Sequence, residues 1–138
     1  MLALLALVGC RNVRIQTLQR GTTTSVAGGN EIAVVRNESG LERLGIRAPV
    51  RFRNEFGVLL LMGPHDRTGY RQIVESIGAN PSRVRVVAFE EPPANGGDPS
   101  RPYRTYTLWI VPNSAYRSGI RVVVVTPSDD PVALTTLP

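Results

Sequence analysis

Short runs of β-branched and aromatic residues, each stopped within a few positions by Gly, Pro or Asn, recur along this chain from Val13 to Thr126. That rhythm suits strands joined by tight turns and leaves little room for helices of ordinary length. Val13 and Ile15 alternate with Arg14 and Gln16, the period of an edge strand with one wet face. Phe56 to Met62, FGVLLLM, is apolar throughout, so it is expected to lie centrally and to be covered on both faces. Val84 to Phe89, Tyr103 to Val111 and Ile120 to Thr126 are further strand candidates.

The connections carry their own signals. Gly28-Gly29-Asn30, following a threonine-rich stretch, predicts a hairpin returning into Glu31 to Arg36. Ser39 before Gly40-Leu41-Glu42-Arg43-Leu44, with Leu41 and Leu44 three apart, predicts one short helix closed by Gly45. Gly63 to Gly69 reads as a loop, with Tyr70 to Ile77 as the returning strand of a hairpin, and Asn80-Pro81-Ser82 reads as a turn. Glu91 to Pro102, interrupted by Pro92, Pro93, Pro99 and Pro102, reads as a long loop unusable by helix or ladder. Residues 128–138 read as a frayed tail. With 138 residues the chain suits one domain. The expected class is mainly β, an antiparallel sandwich or open barrel of seven to eight strands with one short helix.

Little in the sequence points to catalysis. The one histidine, His65, stands beside Asp66 in an apparent turn, and no Gly-x-Ser-x-Gly elbow presents a nucleophile, so His65 reads as a surface-loop residue. A single cysteine excludes an internal disulfide and a cysteine-ligated zinc. Glu90-Glu91 and Asp129-Asp130 are adjacent pairs, unlike the alternating ligands of a calcium loop, and no glycine-rich phosphate cradle occurs. No enzyme activity, metal or cofactor is therefore expected. All 16 basic residues are arginines, against 11 acidic ones, and they are scattered without a block of like charge. A solvated, mildly basic surface follows, and nucleic acid is not expected as a partner. What remains is binding by loops. His65, Arg67, Thr68, Gly69 and Tyr70 form a candidate partner-binding tip, offering a donor-rich Arg, a flexible Gly and an aromatic anchor. Tyr103, Tyr106 and Trp109 are expected to pack across strands.

The amino terminus carries a more specific pattern. Met1 to Gly9, MLALLALVG, is an uncharged apolar run too short to cross a bilayer and of the length of a signal-peptide core. It ends in Leu7-Val8-Gly9-Cys10, which resembles the lipobox of bacterial lipoproteins. The resemblance implies a signal peptide over 1–9, cleavage before Cys10, acylation of Cys10 and a short tether over 10–12. It also implies membrane lipid as a partner and a place in the cell envelope. Arg11 stands where Asp often signals inner-membrane retention, so the outer membrane or cell surface is expected. No basic segment precedes the apolar run, and an upstream start codon would supply one.

A second resemblance covers most of residues 13–127. Thr17 to Gly21, Glu31 to Val35, Leu41 to Leu44, Phe56 to Gly63 and Thr68-Gly69-Tyr70, followed by the Pro92-Pro93 loop and Tyr103 to Ile110, resemble the PrcB-type domain. That domain occurs in bacterial lipoproteins associated with a surface protease complex, and its turn usually has one more glycine before the tyrosine. The resemblance implies a non-catalytic accessory protein that binds or stabilises an exported protease. The Thr68-Gly69-Tyr70 turn is also similar to the blocking turn of chagasin-like inhibitors, which implies protease inhibition as the alternative.

Overall fold

The computed structural model describes residues 14–138; the expected leader and Cys10 lie outside the described residues. Two four-stranded sheets face each other. Across the first run β1 (Gln16–Thr23), β6 (Pro99–Pro112), β3 (Glu55–Arg67) and β2 (Glu31–Val35). Across the second run β4 (Arg71–Asn80), β5 (Arg83–Glu91), β7 (Arg121–Val125) and β8 (Pro131–Thr136). Every neighbouring pair is antiparallel except β5 with β7. The protein is thus a mainly β sandwich, as its sequence leads one to expect.

Side-chain alternation assigns the faces. Phe56, Val58, Leu60 and Met62 of β3 point at the second sheet and meet Trp109, Val86, Ala88, Val122 and Val124. Leu59 and Leu61 point the other way and pack with Tyr106 and Leu108 against Leu41, Ile46 and Phe52. The short helix α1 (Glu38–Arg43) and the chain up to β3 therefore form a third layer over the first sheet. Phe56 to Met62 is buried at every position, which is why both faces of this strand had to be apolar. Gly57 faces that third layer, where a Cβ would lie 2.6 Å from Val35 Cγ2 and 3.1 Å from Leu108 Cδ1. Gly57→Ala is expected to cost about 1–3 kcal/mol by overpacking. Urea unfolding should show a lower midpoint with an unchanged slope; an unchanged midpoint would mean that the helix layer yields freely.

Several connections differ from the sequence expectation. The Gly28-Gly29-Asn30 segment is no hairpin: β1 and β2 occupy opposite edges of the first sheet. Residues 24–30 cross the sheet end instead, held by Arg104, whose Nε donates to Ser25 O at 2.6 Å and Nη1 to Gly29 O at 2.8 Å. Asn30 Oδ1 adds a bond from Gly63 N at 2.9 Å. The 63–69 loop shrinks to a turn, because a bulge at Gly63 (φ 138) and Pro64 lets β3 continue to Arg67. No hairpin joins β3 to β4, which lie in different sheets. The long loop after Glu91 likewise shortens to residues 92–98, since Pro99 pairs with Arg67 and opens β6. Such a strand tolerates its prolines only near its end.

Two further points concern termini of elements. Asn37, not Ser39, caps α1: its Oδ1 accepts from Gly40 N at 2.9 Å, while Ser39 Oγ donates to the same oxygen at 2.8 Å. The expected frayed tail contains β8, which pairs with β7, and Leu137 beyond it is buried at 3% exposure. The domain accordingly runs past residue 127. The Asn80-Pro81-Ser82 turn is as expected; Asn80 Oδ1 accepts from Ser82 N and Arg83 N, both at 2.9 Å.

Candidate functional site

The space between the sheets changes character along the strands. At one end Ile15, Phe56, Val111, Ile120 and Leu137 line an apolar interior. Toward the other end the inward positions of β6 and β4 become Thr107, Thr105 and Gln72. Two-residue periodicity from Val86 and Ala88 of β5 brings Glu90 into the same layer, and β3 brings His65. These side chains form one hydrogen-bonded chain. Thr107 Oγ1 donates to Gln72 Oε1 at 2.5 Å, and Gln72 Nε2 donates to Leu60 O at 3.2 Å and Thr105 Oγ1 at 3.3 Å. Thr105 Oγ1 in turn donates to Glu90 Oε2 at 2.7 Å. His65 Nε2 donates to the same carboxylate, 2.8 and 2.7 Å from its two oxygens. Among the described residues no buried side-chain polar atom lacks a partner. Full satisfaction is what makes a polar interior tolerable, because each unmet group would cost about 1–3 kcal/mol.

His65 is therefore no surface-loop histidine. It sits in β3, paired with Glu90, each side chain 14% exposed, and its ring stacks on Tyr70 at 3.8 Å between centroids and 7° between planes. Tyr103 packs against it at 5.7 Å. The expected cross-strand packing of the other aromatics is present: Trp109 lies in the core between the sheets and Tyr106 on the opposite face.

Above this root the tip closes on itself. Thr68 N donates to Asp98 O at 2.9 Å, and Asp98 N donates back to Thr68 Oγ1 at 3.0 Å. Arg67 reaches across the same gap, Nε to Gly96 O at 2.6 Å and Nη2 to Gly97 O at 2.9 Å. Tyr103 OH donates to Arg67 O at 2.6 Å. Gly69 (φ 97) lies against Pro93, and Gly97 (φ 67) against Thr68 O, approaches that no side chain would permit. The 68–70 turn and the 92–98 loop are thus latched into one preformed projection.

The structure brings all five expected tip residues to this end, but divides their work. His65 and Tyr70 form the root, Arg67 and Thr68 make the latch, and Gly69 gives the turn its close packing. The Arg67 guanidinium is spent on loop carbonyls, so its role is to position the tip. Sequence reading missed Glu90, Gln72, Thr105 and Thr107. Their signal was a polar residue at the inward phase of an apolar alternation, as in Val86, Ala88, Glu90.

Chemically, the site holds a histidine and a carboxylate, and of the two hydroxyls in their network Thr105 donates to the carboxylate and Thr107 to Gln72, neither to the imidazole. Among the described residues no group of three or more His, Cys, Asp or Glu side chains could hold a metal ion. No helix among them is long and apolar enough to cross a membrane. No family model, curated protein or solved structure matches this chain.

Proposed function

We propose that this chain is a lipid-anchored, non-catalytic protein of the bacterial cell envelope that binds or stabilises a protein partner with its latched tip. The observation that carries the reading is the reciprocal pair of bonds between Thr68 and Asp98, reinforced by Arg67. A preformed projection loses little conformational freedom on binding, which is where loop-borne affinity is otherwise dissipated. Non-catalytic action fits a histidine committed to Glu90, with the hydroxyls of the network bonded to Glu90 and Gln72 rather than to the imidazole. The anchor follows from the Leu7-Val8-Gly9-Cys10 pattern, and an exported protease is the partner class that the PrcB-type resemblance implies.

Affinity capture from detergent-solubilised membranes should yield a stoichiometric partner with the unaltered chain and lose it with Tyr70→Ala. Repeated isolation of the chain alone would defeat the reading. The rigid exposed turn also favours protease inhibition as a second reading. It requires inhibition of papain-type or serine proteases that weakens in Arg67→Ala and Tyr70→Ala; no inhibition at micromolar protein removes it.

A further inference from the structure

The arginines are scattered in sequence but gathered in space. Strand register places the start of β1 and β3 and the end of β2 and β6 at one end of the first sheet. Arg14, Arg36, Arg51 and Arg53 flank those points, all exposed. The start of β5 and β7 and the end of β4 and β8 lie together in the second sheet, and exposed Arg83, Arg117 and Arg121 flank them. Ile15, Asn80, Val111, Ile120 and Leu137 around one apolar pocket show that these are the same end of the sandwich. Among the described acidic side chains, Glu38 and Glu55 oppose them there. The tip end is nearly balanced instead, with Glu31, Asp66, Glu90, Glu91 and Asp98 beside Arg67, Arg71, Arg101 and Arg104.

Within the fold, Arg36 stacks on the Tyr116 ring at 3.9 Å and Arg117 Nη1 donates to the carbonyls of Ser114 and Tyr116, contacts that leave both positive charges without a counter-charge. None of its seven arginines takes part in the four ion pairs among the described residues. Arg83 and Arg121 are moreover direct neighbours in the parallel β5–β7 register. Like charges so placed repel, and neither is in an ion pair among the described residues.

We propose that the basic end is a docking face for an anionic membrane surface. Its orientation rests on the reading of Cys10 as the lipid attachment point. Four residue steps separate Cys10 from Arg14, a reach of at most about 14 Å. The anchor would therefore hold this end at the headgroups and turn the latched tip away from them. Each arginine near such a surface strengthens binding about five-fold.

The test uses the full chain carrying Cys10→Ser, with vesicles of phosphatidylcholine alone or mixed with phosphatidylglycerol. The apolar leader is then common to every sample. Phosphatidylglycerol should tighten binding in a salt-sensitive manner. Combined Arg53→Gln, Arg83→Gln and Arg121→Gln should weaken it about a hundred-fold. Arg20→Gln, Arg43→Gln and Arg47→Gln together remove the same charge elsewhere and should leave most of the binding. Equal loss in the two triple variants, or no dependence on phosphatidylglycerol, overturns the proposal. So does tighter association with duplex DNA than with the anionic vesicles, which would make the face a nucleic-acid site. An unmodified Cys10 in native envelopes, read by mass spectrometry, would defeat the anchor and the orientation while leaving the vesicle result to stand or fall alone.

Discussion

Arg104→Met is expected to lower the stability of the sandwich by about 3 kcal/mol. The guanidinium is 1% exposed and bonds Glu31 Oε1 at 2.6 Å together with the carbonyls of Ser25 and Gly29. Methionine keeps much of the stem volume but supplies no donor, so two carbonyls of the crossing segment lose their partner at once. Glu31 is 37% exposed and can return to water, which keeps the cost near the lower end of that for a broken buried pair. Arg104→Lys should recover only part of the loss, because a single ammonium cannot reproduce the fork that joins three acceptors. Urea unfolding followed by tryptophan fluorescence reads both variants through Trp109. A loss below about 0.5 kcal/mol in Arg104→Met would show that the bond from Gly63 N to Asn30 suffices to hold residues 24–30.

Gly97→Ala should act differently, opening the tip with little effect on the core. A Cβ at this position would overlap Thr68 O and stand 3.1 Å from Pro93 Cγ, and φ 67 is itself costly for a residue with a side chain. The expected local loss is about 2 kcal/mol, enough to break the Thr68–Asp98 reciprocity. Hydrogen exchange at the Thr68 and Asp98 amides should accelerate by about thirty-fold, while the global midpoint moves little. Under the proposed function, partner binding should weaken by about ten-fold or more as the projection loses its fixed shape. Retained protection at both amides would mean that the loop shifts as a unit and that the glycine is not needed for the latch.

How far the sequence reveals this architecture depends on which interaction decides each element. Phe56 to Met62 is legible because burial on both faces leaves its mark on every residue. The Asn80-Pro81-Ser82 turn is legible because a local Asx hydrogen bond decides it. By contrast, the 24–30 segment has the composition of a hairpin turn, and only the buried guanidinium of distant Arg104 makes it a crossing. β8 was obscured by the Asp129, Asp130 and Pro131 that introduce it, although Pro131 merely begins an edge strand. At the site, all five tip residues could be named, but not their division into root and latch. His65 looked like a loop residue because Gly63 and Pro64 suggested that β3 had ended, whereas a bulge carries the strand through. Its partner Glu90 stands 25 positions away, and the pairing exists only once both sheets have closed. The gathering of arginines at one end was invisible for the same reason, since adjacency of Arg83 and Arg121 is a matter of register rather than order.

The parallel pairing of β5 with β7 has a consequence for how the molecule assembles. Between them the chain leaves for the opposite sheet and runs its length as β6. Pairing β7 with β5 therefore closes a loop that contains β6, the strand that β3 in the first sheet must also receive. Neither half can serve as a finished template for the other. Contacts remote in sequence tie the two sheets together, so folding is expected to be slow. A nick in the 92–98 loop would leave two fragments that each own strands of both sheets, so neither would be an autonomous unit and each would need the other to become structured.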